Sequence, residues 1–152
     1  MRGEAGSGSA SLTTTAWTEN WPEARGAIKL DKEPVALSRL VQRVLKDNGF
    51  RSPKHQLSEE LPADFPIFEA DVRYLELVLH NLVENAIKYS PDGGPITVSG
   101  KFGAKEITFS VQDEGPGIPP EHLGKVFDRF YRVENSLTRR VAGTGLGLSI
   151  TK

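Results

Sequence analysis

The stretch Asn81–Ser90, reading NLVENAIKYS, constrains this chain more than any other. Val72, Leu75, Leu79, Leu82, Val83 and Ala86 recur at steps of three and four, so the spacing predicts an amphipathic helix from Asp71 to about Tyr89 with one broad apolar face. The other face is unusual. At about 100° per residue, Asn81, Asn85 and Lys88 fall in one narrow stripe, which sets two amides and an ammonium along a single edge. Asparagine competes for backbone groups in mid-helix, so two of them there point to a purpose beyond solvation. An amide oxygen is a hard, neutral ligand suited to Mg²⁺, and a lysine one turn further on can answer phosphate charge. A solvated polar face accounts for this helix equally well when it is taken alone.

The 152 residues allow one domain with a real core. The net charge of −1 and a pI near 6.3 give no argument for nucleic acid as partner. With no cysteine there is no disulfide framework, thiolate zinc site or thiol nucleophile. No apolar run approaches the roughly 20 residues that span a bilayer, so the chain as written is expected to be soluble. Residues 1–22 are expected to form a flexible tail or linker, because MRGEAGSGSASLTTT is small and polar and Trp17 and Trp21 lie outside any periodic pattern; residues 23–152 are expected to form the domain.

A helix is predicted from about Pro34, suited to a first turn, to Asp47, with Asn48-Gly49 as its stop. His55–Leu61 reads as a short strand, Pro62 and Pro66 bracket a loop, and Asp71 is the expected cap of the central helix. After the turn chemistry of SPDGGP, Ile96–Phe102 and Glu106–Val111 alternate as a β-hairpin across Gly103-Ala104. Helix, strand, helix and two strands in this order predict an α/β sandwich with helices on one face of a sheet.

Three further motifs carry chemistry. Asp113-Glu114-Gly115-Pro116-Gly117-Ile118 places a carboxylate at a strand end before two glycines, offering an acceptor for an exocyclic amine such as adenine N6 and a backbone that a flat ligand can approach. Any sheet also needs such a turn. Gly143-Thr144-Gly145-Leu146-Gly147-Leu148 alternates glycines as an apolar run opens a helix, an arrangement that holds phosphates or serves as a hinge. Between these clusters, Phe127, Phe130 and Tyr131 can anchor a loop while Arg129 and Arg132 can meet phosphate in bidentate fashion.

NLVENAIKYS, DEGPGI, FDRFYR and GTGLGL, in this order and at these separations, resemble the N, G1, F and G2 boxes of the catalytic ATP-binding domain of two-component sensor histidine kinases. The resemblance runs from about Lys32 to the last residue. It implies a Bergerat-type α/β sandwich, shared with type II topoisomerases, Hsp90 chaperones and mismatch-repair ATPases. It further implies that Asn85 coordinates Mg²⁺, that Asn81 lies beside the phosphates, that Lys88 and Tyr89 contact nucleotide, and that Asp113 reads adenine. By the same resemblance Gly115, Gly117, Ile118, Gly143, Thr144, Gly145, Leu146 and Gly147 shape the pocket, and residues from about Pro119 to Ala142 form a lid over ATP. Asn81, Arg129 and Arg132 are the candidate catalytic residues.

Relatives that hydrolyse ATP carry a glutamate one turn before the Mg²⁺-binding asparagine. Here that position is Asn81, and Glu84 lies about 60° away round the helix, so simple hydrolysis is expected to be slow. The acceptor implied is a histidine on a separate dimerisation hairpin, with a response regulator downstream. His55, His80 and His122 lack the acidic and proline pattern of that helix and read as ordinary structural or surface histidines. Glu23–Leu30 resembles the end of the hairpin's second helix, which implies a kinase fragment cut just after its dimerisation region; the family resemblance further implies the cytoplasmic portion of a membrane-bound sensor. The domain is expected to be incomplete at its C-terminus. Lys152 comes barely two turns into the helix opened by GLGLSITK, and two sheet-closing strands follow that helix in relatives. The fragment is expected either to borrow a partner, through edge-to-edge pairing or exchange of the Trp17-containing N-terminal segment, or to fold with a loose glycine turn and weakened phosphate binding. Two other functions fit the motifs: a non-catalytic, nucleotide-gated interaction module, and an ATPase of the Hsp90 or topoisomerase kind.

Overall fold

The computed structural model describes residues 2–6, 9–17, 29–126 and 128, the first two segments through their backbone alone. Strands β1 (Arg2–Gly6), β2 (Ser9–Trp17), β4 (His55–Glu60), β6 (Gly94–Phe102) and β7 (Glu106–Asp113) form one sheet in the order β1-β2-β7-β6-β4. Short strands β3 (Glu33–Val35) and β5 (Phe68–Ala70) pair separately, and helices α1 (Leu37–Gly49), α2 (Val72–Tyr89) and α3 (Pro120–Leu123) complete the described elements.

α2 has the predicted bounds and cap. Asp71 Oδ1 accepts the Arg73 backbone N–H at 3.1 Å, satisfying one of the free donors at the helix start. Its other oxygen accepts the Asp31 N–H at 2.9 Å and the Arg73 guanidinium at 3.0 Å, so the cap also ties the segment before β3 to α2. The buried face of α2 is Leu75, Leu79, Leu82, Val83 and Ala86. It packs with Leu37, Leu40, Val41 and Val44 of α1 and with Ile96, Val98, Phe109 and Val111 of the hairpin, giving one core between a helical layer and the sheet. β6 and β7 pair antiparallel from Thr97↔Gln112 to Phe102↔Ile107, whereas β4 pairs parallel to β6, a direction that requires a crossover and receives it from α2.

Two expectations are corrected. Pro34 does not open α1: it lies in β3 opposite Glu69, and α1 begins at Leu37 behind Ala36, which supplies no side-chain cap. A residue preceding proline is driven to extended backbone, which favours strand at Glu33, and a short edge strand tolerates the missing N–H. The second correction concerns the tail. Arg2–Gly6 and Ser9–Trp17 are strands, and β2 runs antiparallel to β7 from Ala10↔Asp113 to Trp17↔Glu106. The sequence SASLTTTAW has few residues to bury but three threonines, which suit extended backbone, and a sheet edge recruits a strand through main-chain groups that composition does not reveal. The outer edge of β7 is thereby covered by the Trp17-containing segment of the same chain.

Candidate functional site

The C-terminal end of α2 lies against the turn that follows Asp113, the last residue of β7. Asn81, Asn85, Lys88 and Tyr89 are each half-buried, and among the described residues Asn81 Nδ2 and Asn85 Nδ2 are buried donors without a hydrogen-bond partner. A buried, unpaired amide costs about 1–3 kcal/mol, so two on successive turns of one helix mark a place where the fold gives up stability. The Lys88 ammonium lies 5.1 Å from the centroid of the Tyr89 ring.

Asp113 is the last residue of β7 and is 9% exposed. Burial pushes its carboxyl above the ordinary carboxylate value of 3.8, while the Gly115 N–H and the charge of the nearby His55 ring pull it back. Oδ1 accepts that Gly115 N–H at 2.8 Å. Gly115 is dictated by close approach: a Cβ there would collide with the Tyr89 carbonyl oxygen and stand 2.8 Å from Asp113 Oδ1. The turn after β7 is thus packed directly on the C-terminus of α2, which brings Asp113 near the helix end that carries Lys88 and Tyr89. Gly117 has φ +75°, the left-handed region, with nothing near its missing Cβ. Ile118 is half-buried just before α3.

His55 is a structural histidine, as its sequence context implied, but its partners could not be read there. Its Nε2 lies 2.8 Å from the Ser90 carbonyl oxygen, so Nε2–H donates there, and Nδ1 lies 2.6 Å from the Ser52 hydroxyl. Ser90 follows α2 directly and is buried, so this imidazole pins the residue after Tyr89 to the start of β4. Thirty-five positions separate the two residues, and no local pattern carries such a contact. Glu84 points away from the stripe toward Arg51, 4.0 Å distant, with 55% of its side chain exposed. His80 lies 3.2 Å from the amide of buried Asn48, a contact between α1 and α2. Arg129, Arg132, Gly143, Thr144, Gly145, Leu146 and Gly147 lie outside the described residues, as does the predicted lid beyond Val126 apart from Asp128. Glu23–Ile28 also lie outside them, and Lys29–Leu30 are in neither helix nor strand.

Comparison with known proteins agrees with this geometry. Residues 70–152 match the family described as histidine kinase-, DNA gyrase B-, and HSP90-like ATPase. The sensor histidine kinase WalK of Bacillus subtilis is 38% identical over 127 residues, covering 82% of this chain and 21% of that protein. The adaptive-response sensory kinase SasA of Synechococcus elongatus is 34% identical over 127 residues, covering 82% and 32%. The chain therefore spans a fifth to a third of the length of these relatives. Among solved structures, the mycobacterial sensor histidine kinase MprB superposes with a TM-score of 0.66 at 30% identity, covering 78% of this chain and 74% of that one. Full-length ShkA, solved in complex with AMPPNP, gives 0.70 at 28% identity, covering 82% and 26%. The two-layer sandwich is of the Bergerat kind, and the chain belongs to the histidine kinase-, DNA gyrase B- and HSP90-like ATPase family, as a catalytic ATP-binding domain of the sensor histidine kinase type.

Proposed function

We propose that this domain binds ATP with its adenine against Asp113 and its phosphates along the α2 stripe, and presents the γ-phosphoryl group to a histidine on a dimerisation hairpin. The observation that carries the reading is the pairing of two orphaned, buried amides on α2 with a buried carboxylate held by Gly115 at the strand end. Asp113 has one oxygen committed to Gly115, leaving the other to accept from an exocyclic amine. Lys88 and Asn81 answer phosphate charge, with Tyr89 beside them. Mg²⁺ fits this donor set, because Asn85 offers one neutral oxygen and the phosphates the charged ones, the sparse protein ligation this ion favours. Bound there, the ion would neutralise phosphate charge. Arg129 and Arg132 are assigned to the transferring phosphoryl group, and Gly143, Thr144, Gly145, Leu146 and Gly147 to the phosphate-side wall.

The same geometry argues against simple hydrolysis. Asn81 stands where a water-activating carboxylate would be needed, and Glu84, one position before Asn85, is turned toward Arg51. The phosphoryl group then goes to a protein acceptor and onward to a response regulator. ATP as substrate places the domain on the cytoplasmic side of its sensor, which we take to be membrane-bound; among the described residues no helix is long and apolar enough to cross a membrane.

Calorimetry with ATP, ADP and GTP, with and without Mg²⁺, tests the binding. Preference for adenine and Mg²⁺ enhancement are expected. Supplying a histidine hairpin in trans and assaying acid-labile phosphate tests the transfer, and binding without any such phosphate would favour a nucleotide-gated interaction module.

A further inference from the structure

We propose that the N-terminal β1–β2 hairpin is a working wall of the nucleotide domain: docking of β2 on the outer edge of β7 and binding of adenine nucleotide at Asp113 are one coupled equilibrium. The inference rests on the assignment of Asp113 to the base. Its ground is the register. The β6 ladder on β7 ends at Thr97↔Gln112, one residue short of the carboxylate, whereas the β2 ladder continues to Ala10↔Asp113. Among the described residues, the cross-strand partner of Asp113 thus belongs to β2. β1 reinforces the same half, since Arg2–Gly6 pair with Ser9–Thr13, the residues opposite Ser110–Asp113 and just beyond.

Without β2, the main-chain groups on the outer side of β7 would be unpaired, and its last residue would be held by neither neighbouring ladder. A strand end freed in this way frays. Burial also disfavours the charged form of the Asp113 carboxyl, so its surround matters. The docking joins residue 10 to residue 113, so closing it costs chain entropy that the local hairpin does not, and main-chain pairing of small residues offsets that cost only modestly. The β2–β7 ladder is therefore expected at the low end of local stability, open to coupling with whatever binds at Asp113. Coupling is reciprocal: nucleotide must slow opening of β2 by the factor by which docking tightens nucleotide.

Hydrogen exchange on the full chain with and without Mg-ATP reads this directly. ATP is expected to slow amide exchange over residues 10–17 roughly tenfold, the size of a typical coupling. Unchanged exchange in a chain that binds ATP overturns the inference, while a chain that binds no ATP overturns both it and the assignment on which it rests. The double variant Thr13→Pro/Thr14→Pro removes one donor toward each neighbouring strand, because successive N–H groups point to opposite sides. It should weaken ATP binding by the same factor; faster exchange over 106–113 with unaltered affinity is the contrary result. Should that variant fail to fold, Thr15→Cys/Thr108→Cys places one pair across Cα partners in a chain with no other cysteine. Oxidation should give a monomer that binds ATP like the parent, with exchange over 10–17 indifferent to ATP. A disulfide-linked dimer would show instead that β2 docks on a second copy.

Discussion

Two carboxylates with opposite shifts show how single residues serve fold and function. Asp71 is held at about 2, from 3.8, first by the Arg73 side chain and then by the Asp31 N–H. The folded carboxyl stays ionised where the unfolded one has taken a proton, so its contribution is full above pH 3.8 and is lost as pH falls toward 2. Denaturant titrations of parent and Asp71→Asn at pH 5 and pH 2 should show a larger acid loss in the parent. Asp113 is shifted upward, chiefly by burial, so its ionised form weakens the fold: the stability it lends is present below 3.8 and fades as pH rises through its raised value. Asp113→Asn should therefore leave the unliganded protein at neutral pH as stable as the parent or more so. The same change should weaken adenine-nucleotide binding by about 1–3 kcal/mol, because an acceptor becomes a possible donor facing the exocyclic amine. Equal ATP affinity by calorimetry would remove Asp113 from the base. The strand-end carboxylate before two glycines was legible in the sequence; its bond to Gly115 and its closeness to His55 were not, since they depend on how the turn after β7 seats on α2.

At the scale of elements, legibility followed length and periodicity. α2 and the β6–β7 hairpin were readable because each buries one face at a regular step. β3 and β5, three residues each, and β1 and β2, polar and small, are strands because of the backbone they pair with, a cause that lies elsewhere in the chain. α2 also carries the clearest exchange of stability for function. Asn85→Ala removes an orphaned donor and a mediocre helix former, and should stabilise the unliganded protein by about 0.5 kcal/mol or more. It should also abolish Mg²⁺ enhancement of ATP binding while leaving metal-free adenosine contact in place; full retention of that enhancement by calorimetry would move the metal elsewhere. The turn joining α2 and β7 is as sensitive. Gly115→Ala drives a Cβ against backbone oxygen that cannot yield cheaply, and should destabilise by about 1–3 kcal/mol in thermal or urea unfolding.

For the whole molecule, the helical layer and the sheet depend on one shared core, and Phe109 is the largest fully buried side chain among the described residues. The ring belongs to β7, four residues before Asp113, and packs in the cluster that includes Leu79, Leu82 and Val83 of α2. The helix carrying the amides and the strand carrying the carboxylate are thus set against each other by the same apolar contacts. The two-layer arrangement could be inferred from apolar spacing alone, whereas which strand covers the outer edge of β7 could not, because that choice is made by backbone pairing across a hundred residues. Phe109→Ala should cost about 3–5 kcal/mol, a large part of the roughly 5–15 kcal/mol that holds a domain of this size. A nucleotide that binds only the folded state restores about 2.7 kcal/mol at a hundred times its dissociation constant. If the core substitution leaves the cleft intact, saturating Mg-ATP should stabilise Phe109→Ala and the parent by equal amounts in urea titrations. A smaller gain in the variant would show that the core does more than support the sheet, and that relaxation around the missing ring carries Asp113 away from the α2 stripe.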